Sequence, residues 1–275
     1  MFLLVPSLAI LVTFTHYPAL AALWTSLVTP GVGVSISQFE TMVNDPVFGQ
    51  ALRNTALFAL GTVPASMALA LVMAIWVNPK LRGRGFLRLA YFTPAILPVV
   101  ATASIWLFFF TPGYGPISRL VTTLGFADQN WLGDPSTVLP SLMVMNIWKE
   151  AGFLMIFYLA GLQSIPPELD EASGLEGGGS WYNFRRVTFP LLMPTTLFVS
   201  VISVAAALKS IDFLFIMTGG GPANASTLLL YYVYEVAFRY WDQPYASALT
   251  IVLIAILLSL TFLQLKVVDR RIHYR

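Results

Sequence analysis

ELDEASGLEGGGSWYNFRRVTFP runs from Glu168 to Pro190. It is the most polar stretch of a chain in which 57% of residues are hydrophobic and only 10% are charged. The order of its residues is that of two short helices around a hinge. Pro166 and Pro167 stop the apolar run before it, and proline suits a first helical position. Glu168, Asp170 and Glu171 then fall in a first turn, where acids complement the positive end of the helix dipole. Ala172, Ser173, Gly177 and Gly178 are small, and three consecutive glycines from Gly177 cannot sustain a helix. Ser180 is the expected N-cap of a second helix, Trp181 to Thr188, with Arg185 and Arg186 near its C-terminal end. Pro190 opens the next apolar run. A compact helix with a small-residue face fits a groove on another protein.

On either side of this island the chain is too apolar to cover its own core with polar surface in water. A soluble domain carries about 25% charged residues. The mean hydropathy here is +0.76. A helix crossing the hydrocarbon needs about 20 mostly apolar residues. Six stretches qualify: Phe2–Leu27, Leu52–Val77, Phe86–Phe110, Val138–Leu162, Leu191–Met217 and Tyr245–Leu265. The expected fold is therefore an all-α membrane protein with six transmembrane helices. It forms one domain over residues 1–275, with the polar loop 163–190 between the fourth and fifth spans. The first stretch has no basic segment before it and exceeds the 7–15 residues of a signal-peptide core, so it reads as a retained helix.

Lys and Arg in short loops stay cytoplasmic. The second connection carries Lys80, Arg82 and Arg84, the fourth Arg185 and Arg186, and the C-terminal segment Lys266, Arg270, Arg271 and Arg275. The odd-numbered connections are poor in cations. This places both termini and the island on the cytoplasmic side of a multi-pass protein.

Several chemistries are excluded. There is no cysteine, and the two histidines, His16 and His273, lie near opposite ends of the chain. No metal site and no catalytic pair is expected. No G-x-x-x-x-G-K-[ST] phosphate loop occurs, so the chain itself should hold no nucleotide or other cofactor. A net charge of +2 with no basic run on a soluble face gives no nucleic-acid partner. The remaining chemistry is buried charge. Lys149 and Glu150 lie near the middle of the fourth span, Lys209 and Asp212 in the outer half of the fifth. Charge at such depth usually faces a bundle interior or a water-filled cavity. Lys209 and Asp212, three residues apart, are expected to share a helix face and pair. Lys149, Lys209 and Asp212 are the candidates for a solute path. A structural ion pair is the other reading of the last two.

The island also carries a recognisable spacing: Glu171-Ala172-Ser173, three residues, Gly177, nine residues, then Val187-Thr188-Phe189-Pro190. It resembles the E-A-A…G…I-x-L-P loop of the permease subunits of bacterial ABC importers. Departures are Ser173 for the second Ala, Glu176 for the usual Asp, Gly178 for the next Ala, Val187 for Ile and Phe189 for Leu. The runs "NTALFALGTVPASMALALVMA", "NWLGDP", "IDFLFIMTGGGP" and "VVDRRIHYR" are similar to the carbohydrate-uptake branch that includes the maltose and glycerol-phosphate permeases. The resemblance covers nearly the whole chain. It implies a bacterial cytoplasmic-membrane location and a coupling helix that docks on an ATPase through Glu168, Asp170, Glu171, Ala172, Ser173, Glu176, Gly177 and Pro190. It further implies a second homologous permease, an ATPase dimer holding ATP and Mg, an extracytoplasmic substrate-binding protein and, as cargo, a sugar or a sugar- or polyol-phosphate. A non-sugar cargo, or an ion-coupled secondary transporter using the four buried charges as a relay, are the competing expectations.

Overall fold

The computed structural model describes residues 4–29, 33–77, 83–169, 173 and 179–269. Helix α1, Val5–Leu27, includes a π-helical turn, Val12–His16. Two-residue strands β1 (Val28–Thr29) and β2 (Gly33–Val34) pair antiparallel after it. Then follow α2 (Ser37–Asn44), α3 (Pro46–Trp76), α4 (Arg84–Ile96), α5 (Val99–Phe109), α6 (Pro116–Thr123) and α7 (Val138–Gln163). Beyond the polar loop, α8 runs as three successive pieces, Ser180–Asn183, the π-helical Phe184–Thr188, and Phe189–Leu191. The last elements are α9 (Met193–Lys209), α10 (Asp212–Met217), α11 (Leu229–Tyr234, extended by the π-helical Glu235–Arg239) and α12 (Gln243–Asp269).

Apart from the small strand pair, the regular secondary structure among the described residues is helical. Five stretches are long and apolar enough to cross a membrane: Val5–Leu27, Pro46–Trp76, Val138–Gln163, Met193–Met217 and Gln243–Lys266. The expected third span, Phe86–Phe110, is not one helix. It is the pair α4 and α5, bent by 97° at Leu97-Pro98. Proline explains the break. Pro98 has no N–H to give the carbonyl of Pro94 four residues earlier, and its ring pushes Leu97 out of the helical region, to φ −64° and ψ 136°.

Helix α3 begins at Pro46, six residues before the expected start at Leu52. The Asp45 side chain accepts a hydrogen bond from the Val47 N–H at 2.8 Å, and Pro46 occupies the first turn. At 31 residues α3 is about 46 Å long, more than the bilayer core requires. The surplus forms a platform at one end of the bundle. There Asn54 donates to the carbonyls of Asn224 (2.9 Å) and Thr227 (3.1 Å), Gln50 to that of Ala223 (3.0 Å), and the Leu229 N–H to the Thr55 hydroxyl (2.8 Å). The glycine-rich 218–228 loop is thus folded onto α3, with Ser226 and Thr227 fully buried. A Cβ on Gly220, at φ +83°, would lie 2.6 Å from the Thr227 hydroxyl oxygen, so this turn needs glycine.

At the same end, the Asp45 carboxylate accepts the phenol hydroxyls of Tyr232 (2.5 Å) and Tyr245 (2.6 Å). The first and fifth connections therefore meet at one end. The third joins them through the core of Phe110, Val138, Leu139, Met217 and Leu228, against which Trp131 packs. A second apolar cluster surrounds Leu229, Tyr232, Tyr245 and Leu249, and a third surrounds Met73, Leu154, Met155 and Tyr158.

Candidate functional site

Three spans contribute to a narrow polar cleft inside the bundle. Helix α3 presents Thr62 and Ser66, α7 presents Asn146 and Glu150, and α9 presents Ser203 and Ala207, with Val63 beside them. On each helix the two positions are four residues apart, one turn along a single face. The Thr62 hydroxyl donates to the Phe58 carbonyl of its own helix at 2.7 Å. The Ser66 and Ser203 hydroxyl oxygens are buried and have no hydrogen-bond partner among the described residues. Asn146 is 5% exposed. Buried polar groups are normally hydrogen-bonded, and an unmade bond costs about 1–3 kcal/mol. A cluster of such groups at membrane depth marks a place that meets water or a polar solute. The free space is about 10 Å³, room for a single water molecule.

Lys149, beside Glu150 in sequence, points elsewhere. Its ammonium donates to the carbonyls of Leu97 (2.9 Å) and Pro94 (3.3 Å) at the α4–α5 break. The Pro94 carbonyl is the acceptor that Pro98 leaves without a helical N–H, so Lys149 satisfies the broken end and puts a cation at the negative end of α4. One turn along α7, a Cβ on Gly152 would lie 2.1 Å from the Tyr91 carbonyl oxygen. Bare backbone at Gly152 lets α4 approach close enough for Lys149 to reach. Trp148 lies edge-on to Trp106 of α5, ring centroids 5.7 Å apart. Of the expected path residues, Lys149 borders the cleft residues in sequence but is committed to the helix break.

Lys209 and Asp212 do not pair. Helix α9 ends at Lys209, Ser210 is extended (φ −75°, ψ 104°), and Asp212 starts α10. The break removes the shared face that the three-residue spacing implied. Both side chains are exposed. The single ion pair among the described residues is Arg239–Glu235, at 2.7 Å on the π-helical turn. Lys149, Glu150, Lys209 and Asp212 accordingly form no relay.

The loop expected to dock on a partner is described in part. Asp170, Glu171, Ala172, Glu176 and Gly177 lie outside the described residues. Residues 167–169 are helical, and Glu168 is exposed. Ser173 is buried at 7% exposure, its hydroxyl without a partner among the described residues. The N-cap of α8 is Gly179, one residue before the expected Ser180, and no side chain caps it. Pro190 is exposed in the last piece of α8, and the fifth span starts at Met193, two residues later than expected. Trp181 stacks on Phe184 at 5.6 Å and is 71% exposed.

Sequence reasoning singled out Glu150 only as a buried charge and missed Thr62, Ser66, Asn146 and Ser203. The available signal was polar residues at a spacing of four in otherwise apolar spans: Thr62/Ser66 and Asn146/Glu150.

Residues 66–274 match the family described as the binding-protein-dependent transport system inner membrane component. The chain is 32% identical to the sn-glycerol-3-phosphate transport system permease protein of Brucella abortus, over 99% of this chain and 95% of that protein. It is 34% identical to the lactose transport system permease protein of Rhizobium radiobacter, over 94% and 90% of the two chains. Among solved structures, a chain of a bacterial alginate ABC transporter, in complex with an alginate pentasaccharide-bound periplasmic protein, superposes with a TM-score of 0.85. That match has 22% identity and covers 98% of this chain and 93% of the other, so it speaks to the fold.

Proposed function

The chain belongs to the family of binding-protein-dependent transport system inner membrane components, and from that premise we propose that it forms one half of the membrane pathway of an ATP-driven importer of a sugar or a sugar- or polyol-phosphate. The observation that carries this reading is the cleft of Thr62, Ser66, Asn146, Glu150 and Ser203, polar side chains inside an apolar bundle, of which the Ser66 and Ser203 hydroxyls have no hydrogen-bond partner among the described residues. A hydroxyl-rich solute both donates and accepts hydrogen bonds, and a surface of hydroxyls, an amide and a carboxylate answers both roles. The relatives named for lactose and glycerol 3-phosphate support a cargo of this type.

A second permease supplies the other wall, and a binding protein delivers the solute at the end carrying Asp45 and the 218–228 loop. Both termini and the 163–190 loop face the cytoplasm. Glu168, Asp170, Glu171, Ala172, Ser173, Glu176, Gly177 and Pro190 meet an ATPase subunit, where ATP and Mg are bound. Closure of the ATPase dimer moves the docked loops, and the cleft opens alternately to each side. The test is ATP-driven uptake by proteoliposomes containing this chain, its partner permease, the ATPase and the binding protein. Asn146→Ala should lower uptake roughly tenfold, the equivalent of a hydrogen bond to solute lost in the moving complex, while assembly persists. Wild-type rates in Asn146→Ala, Ser66→Ala and Ser203→Ala alike would remove the cleft from the path.

A further inference from the structure

Building on the reading of the cleft as the solute path, we infer that the path is selective by charge: it favours an uncharged, hydroxyl-rich solute and disfavours a phosphorylated or carboxylated one. The lining contains one carboxylate, one amide and three hydroxyls, and no cation. Both lysines that the sequence offered as partners for an anionic cargo are withdrawn from it. Lys149 is directed at the carbonyls of Leu97 and Pro94. Lys209 is two residues beyond Ala207, so at about 100° per residue it projects roughly 200° away from the cleft face of α9, and it is exposed. Glu150 makes no ion pair or hydrogen bond among the described residues. Lys149 acts on it electrostatically from the next position of α7, but its ammonium is held at the helix break, so the Glu150 carboxyl lines the cleft with no cation on that lining.

An anionic group entering this space meets a carboxyl and no lining cation where the effective dielectric is far below that of water. A neutral sugar meets the same carboxylate as a hydrogen-bond acceptor, and bonds to an ionised acceptor are the stronger kind. Its other hydroxyls have Asn146 and the two unpartnered serines. The cleft now admits one water molecule, so solute enters only as α3, α7 and α9 separate. These five polar side chains are what that separation would uncover.

The chain has no cysteine, which allows a direct measurement of the local field. Ser203→Cys and Ser66→Cys are nearly isosteric, and either thiolate can attack a methanethiosulfonate, forming a mixed disulfide and releasing methanesulfinate. The complete transporter, turning over ATP, would be treated with a neutral glucosyl reagent and with an anionic sulfonate reagent of this kind. Tyr182→Cys, at an exposed position, normalises for intrinsic reactivity. The glucosyl reagent should react faster than the sulfonate reagent at both cleft positions, by on the order of tenfold or more. Adding Glu150→Gln should reduce that ratio severalfold. Equal or faster reaction of the sulfonate reagent overturns the charge inference and leaves the cleft as the path. Reaction of neither reagent at positions 66 and 203, with position 182 labelled, removes the cleft from the path itself. A ratio unchanged by Glu150→Gln overturns the assignment of selectivity to that carboxylate.

Discussion

The ammonium of Lys149 lies 2.9 Å from the carbonyl oxygen of Leu97, across the gap where α4 and α5 part at 97°. A lysine that composition and depth had suggested as a solute contact is instead the group that makes a broken helix tolerable in a membrane. Non-helical backbone at that depth survives only where neighbours satisfy it. Lys149→Met keeps the length of the side chain and removes the donors. It should lower stability by about 1–2 kcal/mol, the range for hydrogen bonds from a charged donor discounted for partial exposure. In a detergent melting curve that is a shift of a few degrees, at about 2–4 °C per kcal/mol. An unshifted melting temperature would show that the α4–α5 break is held by other groups.

Gly152 is the other half of that contact. The atom its Cβ would strike at 2.1 Å is the Tyr91 carbonyl oxygen, a backbone atom that cannot swing away. Gly152→Ala should therefore cost about 1–3 kcal/mol by overpacking, despite alanine's better helix propensity. Combined with Lys149→Met, the loss should be smaller than the sum, because both act by separating α4 from α7. Additive melting shifts would show that the two contacts are independent.

Asp45 ties together the first and fifth connections and the start of α12. Burial alone would raise its pKa, but hydrogen bonds from Tyr232 and Tyr245 and from the backbone N–H groups of Val47 and Phe48 outweigh it and hold the carboxyl below 3.8. A carboxyl whose folded pKa is depressed gives stability that is present above the unfolded value, about 3.9, and is lost as pH falls through the folded one. The stability gap between wild type and Asp45→Asn should be constant from neutral pH to about pH 5 and close below about pH 4. Tyr232→Phe should cost about 1–2 kcal/mol at neutral pH. A gap that closes near pH 6 would contradict the depressed pKa.

Most of the fold was legible because its determinants are local. Apolar length placed α1, α3, α7, α9 and α12, but it put the start of α3 at Leu52, because the capped first turn at Asp45-Pro46 lies before the apolar run. The third span was read as one helix, kinked by its prolines, because hydropathy does not register that Pro98 deprives the Pro94 carbonyl of its donor and divides the stretch by 97°. The site was harder. Lys149 and Glu150 are adjacent in sequence yet serve opposite needs, one a helix break and one a cleft. Which need each serves depends on α3, α4 and α9, far away along the chain. Lys209 and Asp212 were paired on the assumption of an unbroken helix, and the extended Ser210 removes that assumption.

Sidedness is open to direct measurement in a chain without cysteine. Val43→Cys and Tyr240→Cys replace residues exposed at 82% and 65% on the first and fifth connections. Both should react with an impermeant thiol reagent added outside intact cells. Tyr182→Cys, 56% exposed on α8, should react only after the membrane is opened. The expectation rests on the lysine and arginine excess of the even-numbered connections. Labelling of position 182 from outside would invert the topology and take the docking loop away from any cytoplasmic ATPase.

The docking loop itself makes the sharpest prediction. Its acids, small residues and glycines are expected to leave the bilayer, and the E-A-S…G…P spacing from Glu171 to Pro190 resembles that of the docking loop of importer permeases. Glycine at 177 suits a close contact or hinge, where a Cβ and two methyls would collide. The resemblance to the importer permeases implies that Glu171 meets a cation on the ATPase. Gly177→Val and Glu171→Lys should each leave membrane insertion and pairing with the second permease intact. Each should weaken ATPase association by about 1–3 kcal/mol, the cost of overpacking or of an unpaired polar group at a buried contact. That is about fivefold to 150-fold in binding. A milder variant, Gly177→Ala, should fall between wild type and valine. Co-purification of the ATPase reads the association, and coupled uptake by the reconstituted complex reads the consequence. Release of the ATPase with insertion preserved is expected because residues 177 and 171 lie outside the apolar spans. If both variants retain the ATPase and transport at wild-type rates, residues 168–190 are a solvated connection, and the force from ATP closure must enter the permease elsewhere.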